Sequence, residues 1–392
     1  MMGRRAALAT LLTFVLALAA PAEAQDAQRR RLNAQVFDTV TRTVERQYWN
    51  EAGLDAVWDA RVRDLRPRAV AAPDETALYD VMTLLLDPFA DEHMNVQGPS
   101  VFEALARAQA PRFSAGFKVR QRGLRHQVTD VTPGGPAALA GMRPGQWLDR
   151  IDGAPFTIPA MLAAREGQTL TFGLTLPDGT TRDAAVTLAP PRPPEPARRS
   201  LATADGVHVL AWDGFDEGVA EWVDGELAAL APGTAVVLDL RGNNGGLMNE
   251  LRRILGCFVA PGTPLFVVVT RDGEPETLDA LAGCRPFAGR VVVLVDGLSL
   301  SAAELLPASI AELGRGVVVG QRTGGSVLLS RHTDLPDGGR LSVSRADLRT
   351  VGGTRLEGVG AVPTVEAVTT FDDRVAGRDP ALDAAVAAAR SD

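Results

Sequence analysis

VVVLVDGLSLSAAELL, residues 291–306, decides how this chain folds. Five apolar residues in a row, four of them valine, suit a strand covered on both faces. Asp296-Gly297 supplies a turn, and the alanines and leucines that follow suit a helix. Two serines, Ser299 and Ser301, stand where strand gives way to helix. Two readings of them are open. Ser301 with Glu304 fits the S-x-x-E capping box, in which a serine and a glutamate satisfy the first backbone N–H groups of a helix. A serine at a helix N-terminus is also well placed as a nucleophile, because unpaired N–H groups favour the negative charge that forms when a carbonyl is attacked.

Outward from this stretch the same alternation continues. GVHVLAW, TAVVLDL, PLFVVVT and GVVVG are short apolar runs, and LMNELRRILGCF and SAAELLPASIAELG carry helical patterns between them. From 201 to 392 the chain therefore reads as an α/β core closed by the alanine-rich helix DPALDAAVAAAR. DLRGNNGG, residues 239–246, follows the strand TAVVL; consecutive glycines let backbone N–H groups point into a site or simply make a tight turn. Residues 111–190 hold short alternating runs (FKVRQRG, HQVTDV, LTFGLTL) separated by TPGG, RPGQ and PDGT, a mostly β module. PPRPPEPARR predicts an extended linker over 191–200. Residues 25–110 carry helical spacing in VFDTVTRTVERQYW and ETALYDVMTLLL, a small helical bundle.

Composition bounds the function. The chain has 392 residues, 46% of them hydrophobic, which is enough for two or three domains with real cores. Its formal charge is −8, and no basic run is interleaved with aromatics, so a nucleic-acid face is excluded. The N-terminus has Arg4 and Arg5, an apolar stretch, then Ala22-Glu23-Ala24. That pattern predicts a signal peptide, residues 1–24, and an exported, periplasmic or extracellular product. The alternative is an uncleaved anchor; no later stretch is long enough to span a membrane. Cys257 and Cys284 either pair in the oxidising compartment or stay as two buried thiols.

DLRGNNGG and SLSAAE, followed by GRGVVVGQRTGG, resemble the serine peptidases of the tricorn and C-terminal-processing family. GGPAALAGMRPGQWLDRIDG resembles the second half of a PDZ domain, SAGF resembles its carboxylate-binding loop, and the segment from LPDGG to PTVEA resembles the family's closing stretch. The resemblance spans residues 35 to 390 and implies a multidomain α+β protein: helical N-terminal bundle, mostly-β PDZ-like module, and α/β crotonase-like (ββα) catalytic core. It makes Ser301 the nucleophile, with Ser299 as the register alternative. It puts oxyanion donors at Ala302 and at Gly245 or Gly246. The C-terminal-processing branch takes its base from a lysine in a segment like TFGKG; here TGGSVLLS puts Ser326 at that position, so the base lies elsewhere. LLLDPFADEHMNV resembles the Asp-small-His segment of the tricorn-like branch and makes His93 the base, with His332 as runner-up. An imidazole titrates in the range such work needs. In that branch a glutamate supports the histidine through a neighbouring serine. Glu357 matches the glutamate, but the neighbour of His93 is Glu92. Thr364 stands where the family often has aspartate, and Gln146 where a PDZ domain often has an acid; both departures are structural or minor.

The implied function is an exported serine endopeptidase with no metal and no cofactor. Its substrate is a peptide or unfolded protein whose terminus meets Gly116 and Phe117 in the PDZ-like loop. Two rivals stand beside it. One is a catalytically inactive peptide-binding protein of the same fold. The other is acyl-thioester chemistry with coenzyme A, for which Arg241 is the one basic residue near the glycine turns. Oligomeric state is left open.

Overall fold

A computed structural model describes residues 3–107, 113–191 and 196–391, with side chains from Glu23 onward and not those of 105–107. The valine-rich runs build a six-stranded sheet in the order Val365–Glu366, Gly316–Gly320, Val291–Val295, Val236–Asp239, His208–Trp212, Arg198–Ala202. The first five strands are parallel, and the last is antiparallel to its neighbour. Alternate residues face opposite layers, as a strand requires. Val236, Leu238, Val291, Val293 and Val295 pack against the helices Val219–Ala229, Met248–Leu255 and Ala302–Glu312. Val209, Val237, Val292, Leu294 and Val319 pack against Ala381, Ala385 and Ala389 of the closing helix Pro380–Arg390. Covering on both faces is why the runs are apolar throughout rather than alternating.

Two strand readings change. PLFVVVT, read with the buried α/β runs, lies in a second, antiparallel sheet as Pro264–Thr270, paired with Glu276–Asp279 and with the long strand Arg340–Thr350. The linker expected over 191–200 ends early. Arg198–Ala202 is already a strand, held to His208–Trp212, and residues 192–195 lie outside the described residues.

The helices Gly3–Gln47, Ala56–Val70 and Glu75–Leu86 do not stand as a separate bundle. Their core of Val36, Phe37, Val40, Trp58, Met82 and Leu85 is completed by Leu341 and Val343 from the second sheet and by Leu335 from the turn that leads into that strand. The chain then enters that sheet: Asn95–Gln97 pairs antiparallel with Arg340–Ser342. No helix among the described residues is long and apolar enough to cross a membrane.

The third layer is the β module, with strand order Phe117–Arg122, Arg125–Val131, Trp147–Ile151, Thr169–Thr175, Thr181–Thr187. It has its own core around Val128, Met142, Leu148, Phe172 and Val186. The strand Phe117–Arg122 is at its edge. Cys257 and Cys284 form a disulfide, which decides between the two readings of the cysteines.

Candidate active site

Ser301 sits immediately before the helix Ala302–Glu312, with φ 55° and ψ −118°. A left-handed φ is unusual for a residue with a Cβ and costs about 1–3 kcal/mol where it is enforced. Glu304, fully buried, enforces it. One carboxylate oxygen accepts from Ser301 N at 3.0 Å and Ser326 N at 2.7 Å; the other accepts from Thr323 Oγ1 and Gly325 N, both at 2.6 Å. The capping glutamate therefore does more than close a helix. It ties the serine turn to the Thr323–Ser326 turn, which Ser301 N also bonds through Ser326 O at 2.9 Å.

The glycine turn is fastened to the same place. Gly242 N donates to Asp296 Oδ1 at 3.0 Å, and Leu300 N donates to Asn243 O at 2.9 Å. Gly245, at φ 84°, lies so close that a Cβ there would be 2.6 Å from Ser301 Cβ and 2.9 Å from Ala302 N. Of the expected oxyanion donors, Gly245 is corrected: its N–H is committed to Asn243 Oδ1 at 2.8 Å. The Ala302 N–H opens its helix and has no acceptor within it.

These turns form one wall of a cavity of about 930 Å³. Asn244, Ser301, Ser326 and Glu357 line it from the core, His93 and Asp91 from the segment after the third helix, and Arg120 and Arg122 from the β module. His93 arrives because Asn95–Gln97 is stitched to Arg340–Ser342, and Asp91 fixes the turn by accepting from His93 N at 2.9 Å and Met94 N at 3.2 Å. Burial lowers the His93 pKa below its usual 6.5, and the Asp91 carboxylate pulls it back up. Burial raises the Asp91 pKa, against the adjacent Ser344 hydroxyl and His93.

Several expectations are corrected here. Ser299 is fully buried, and its hydroxyl donates to Leu240 O at 2.8 Å, so it braces the turn rather than facing the cavity. His332 is exposed on the strand Leu329–Asp334, away from the cavity. His126 meets Phe156 edge to face, and His208 bonds Ser200 at 2.8 Å. Arg241 is held by Asp239 and Asp379, each at 2.7 Å, and is not free to bind a phosphate. Glu92 lines the same cavity but pairs with Arg120 at 3.2 Å and with Arg122 rather than with His93. Glu357 accepts from Val327 N at 2.7 Å; burial pushes its carboxyl up to about 7, with Asp91 adding to the rise.

The imidazole partner is instead Ser326, whose Oγ lies 3.3 Å from His93 Nδ1. The sequence marked this position as the place of a missing lysine but not as a contact of His93. Gly116 (φ 75°) and Phe117 begin the edge strand; the Phe117 ring packs on Phe172, toward the module core, so neither lines the cavity. Thr364 donates its backbone N–H to Val318 O at 2.7 Å, and Gln146 accepts from Arg143 N at 2.9 Å; both support loops.

A serine on a strained strand-to-helix turn, backbone donors beside it and a histidine across one cavity define the serine peptidase class. Comparison with known proteins narrows this. Residues 207–367 match the model of Peptidase family S41. The C-terminal processing peptidase, chloroplastic, of Tetradesmus obliquus is 25% identical over 84% of this chain and 76% of its own length. Tricorn protease homolog 1 of Streptomyces coelicolor is 26% identical over 91% of this chain but 35% of its own, so the chain spans about a third of that relative. Among solved structures, the photosystem II D1 C-terminal processing protease superposes with TM-score 0.64 at 21% identity, covering 86% of this chain and 93% of the other. The tricorn protease gives 0.53 at 18% identity, covering 92% and 36%. The match to Peptidase family S41 thus covers the core of the chain, and the relatives it is similar to are carboxyl-terminal processing and tricorn-type peptidases.

Proposed function

We propose that this protein is an exported serine endopeptidase that cleaves peptides or the C-terminal regions of proteins through an acyl-enzyme on Ser301. The observation that carries the reading is the strained Ser301 turn opening on the same cavity as His93. Ser301 Oγ attacks the scissile carbonyl, and His93, kept neutral near pH 7 by its burial, takes the proton. The N–H groups of Ala302 and Gly246 meet the oxyanion, an interaction worth about 3–4 kcal/mol of barrier per donor. His93 then protonates the leaving amine, and water attacking the ester regenerates the serine. Ser326 holds the imidazole at Nδ1. Glu357 stands behind as the buried acid that can take up charge.

The disulfide supports export, since such bonds persist in oxidising compartments. The β module fits a PDZ-like reading in which the edge strand beginning at Gly116 and Phe117 accepts a peptide as an added strand. Ser301 Oγ and His93 share no hydrogen bond in the free protein. Catalytic contacts often tighten only with substrate, but this observation also favours an inactive peptide-binding protein as the second reading. Incubating a quenched peptide library with the mature protein, Ser301→Ala and His93→Ala separates the two. The peptidase reading expects cleavage by the parent and none by two folded variants. Binding without cleavage by the parent supports the second reading.

A further inference from the structure

The cavity holds two cations that the chemistry above does not use. Arg120 and Arg122 are two apart on the edge strand, so they share one face, while Phe117 and Val119 turn toward the module core. Both line the same cavity as Ser301 and Ser326. Among the described residues, Glu92 is the one acid within ion-pair distance of either arginine, and it serves both. The other acids of the wall are otherwise engaged or placed: Asp91 on the backbone of His93 and Met94, Glu357 on Val327 N, Asp87 beside Gly123.

Two guanidinium groups thus share one carboxylate. Each carries five N–H donors in a planar fork, more than Glu92 can satisfy. Side-chain exposures of 19% for Arg120 and 42% for Arg122 leave them facing the cavity rather than sealed in the protein. An under-neutralised arginine pair on a half-buried wall is built to take a second carboxylate in bidentate fashion.

We propose that Arg120 and Arg122 form a carboxylate subsite of the cleft, with Glu92 as its resident counter-ion. The subsite selects chains that carry an acidic side chain or a free terminal carboxylate close to the bond Ser301 attacks. This rests on the peptidase reading for its consequence, though not for its binding test. A substrate running from Ser301 toward the edge strand passes both arginines. A carboxylate there exchanges with Glu92, whereas a neutral side chain leaves the pair as it is.

The test uses full-length mature protein carrying Ser301→Ala and three versions of one neutral peptide. One is amidated with no acid, one is amidated with a single Glu walked along it, and one has a free C-terminal carboxylate. Binding is read by fluorescence anisotropy. At least one carboxylate version binds about tenfold tighter than the neutral peptide, a usual difference for one charge-assisted pair; which version does so identifies the carboxylate's source. Arg120→Gln with Arg122→Gln brings that affinity down to the neutral value. Glu92→Gln tightens the carboxylate peptide several-fold, a gain that misfolding cannot produce. Equal binding of all versions, no binding of any, or a preference that survives the arginine substitutions overturns the subsite. Carboxylate-selective binding with no cleavage by the parent would retain the subsite and reject the peptidase. Cleavage without any carboxylate preference would do the reverse.

Discussion

Gly245→Ala probes the site where two turns are pressed together. The new Cβ would lie 2.6 Å from Ser301 Cβ, 2.8 Å from Leu300 O and 2.9 Å from Ala302 N. Carbon contacts are comfortable only near 3.5–4 Å, and none of these atoms is the loose end of a side chain. Either the glycine turn or the serine turn must move by about 1 Å, and such a shift takes an oxyanion donor out of place. Loss of one donor costs about 100- to 1,000-fold in kcat. The left-handed φ of 84° adds about 1–2 kcal/mol of strain on its own. Gly233 separates the two effects, because it has the same φ of 84° and open space where a Cβ would go. Gly233→Ala should lose about 1–2 kcal/mol in urea unfolding and keep its kcat/KM on a quenched peptide. Gly245→Ala should lose at least about 3 kcal/mol, the strain plus an overpacking cost, and at least about 100-fold in kcat/KM. If both variants lost the same stability and both stayed active, the packing of glycine turn against nucleophile would not be what holds the site.

Three further substitutions test the surroundings. Glu304→Gln sets an amide NH₂ against two of the donors that the carboxylate now accepts, so chemical denaturation should show a loss of about 3 kcal/mol. Glu357 has its carboxyl raised from 4.5 to about 7, so its contribution to stability is fully present below pH 4.5 and is lost as pH rises through 7. The full shift corresponds to roughly 3 kcal/mol; with solvent reaching the cavity we expect about 2 kcal/mol. Between pH 4 and 8 the stability of the parent relative to Glu357→Gln should therefore fall by about that much, the difference between the two curves removing the groups they share, His93 and Asp91 among them. Cys284→Ser opens a cross-link between residues 27 apart and should cost about 3.5 kcal/mol of stability in non-reducing buffer, measured as a shift in urea midpoint.

What could be read from the sequence was local. VVVLV followed by DGLSLSAAE contains its own strand, turn and cap, and the structure builds that unit as the alternation and the S-x-x-E spacing require. The glycine run DLRGNNGG was legible as a second turn, but not the fact that Asn243 occupies the N–H of Gly245, because that depends on one side-chain rotamer. His93 could be proposed only by resemblance. Its place in the cavity comes from pairing Asn95–Gln97 with Arg340–Ser342, a contact between distant parts of the chain that no local pattern encodes. The same holds for Glu92: in sequence it stood where the relay's serine was expected, and in space it answers Arg120 and Arg122. PLFVVVT was assigned to the wrong sheet because a short apolar run looks alike in a parallel and an antiparallel setting. The cysteine pair needed a Cα–Cα distance, here 4.8 Å, that spacing alone does not supply.

The most direct test of Ser301 and His93 is the rate at which a fluorophosphonate labels the protein, followed by intact mass and peptide mapping from pH 5 to 8. A single phosphonyl adduct on Ser301 is predicted. Its rate should rise with pH through a midpoint below 6.5, the side to which burial moves His93, and should collapse in His93→Ala. An adduct on Ser299 or Ser326, no adduct at all, or a rate indifferent to the loss of His93 would contradict the account.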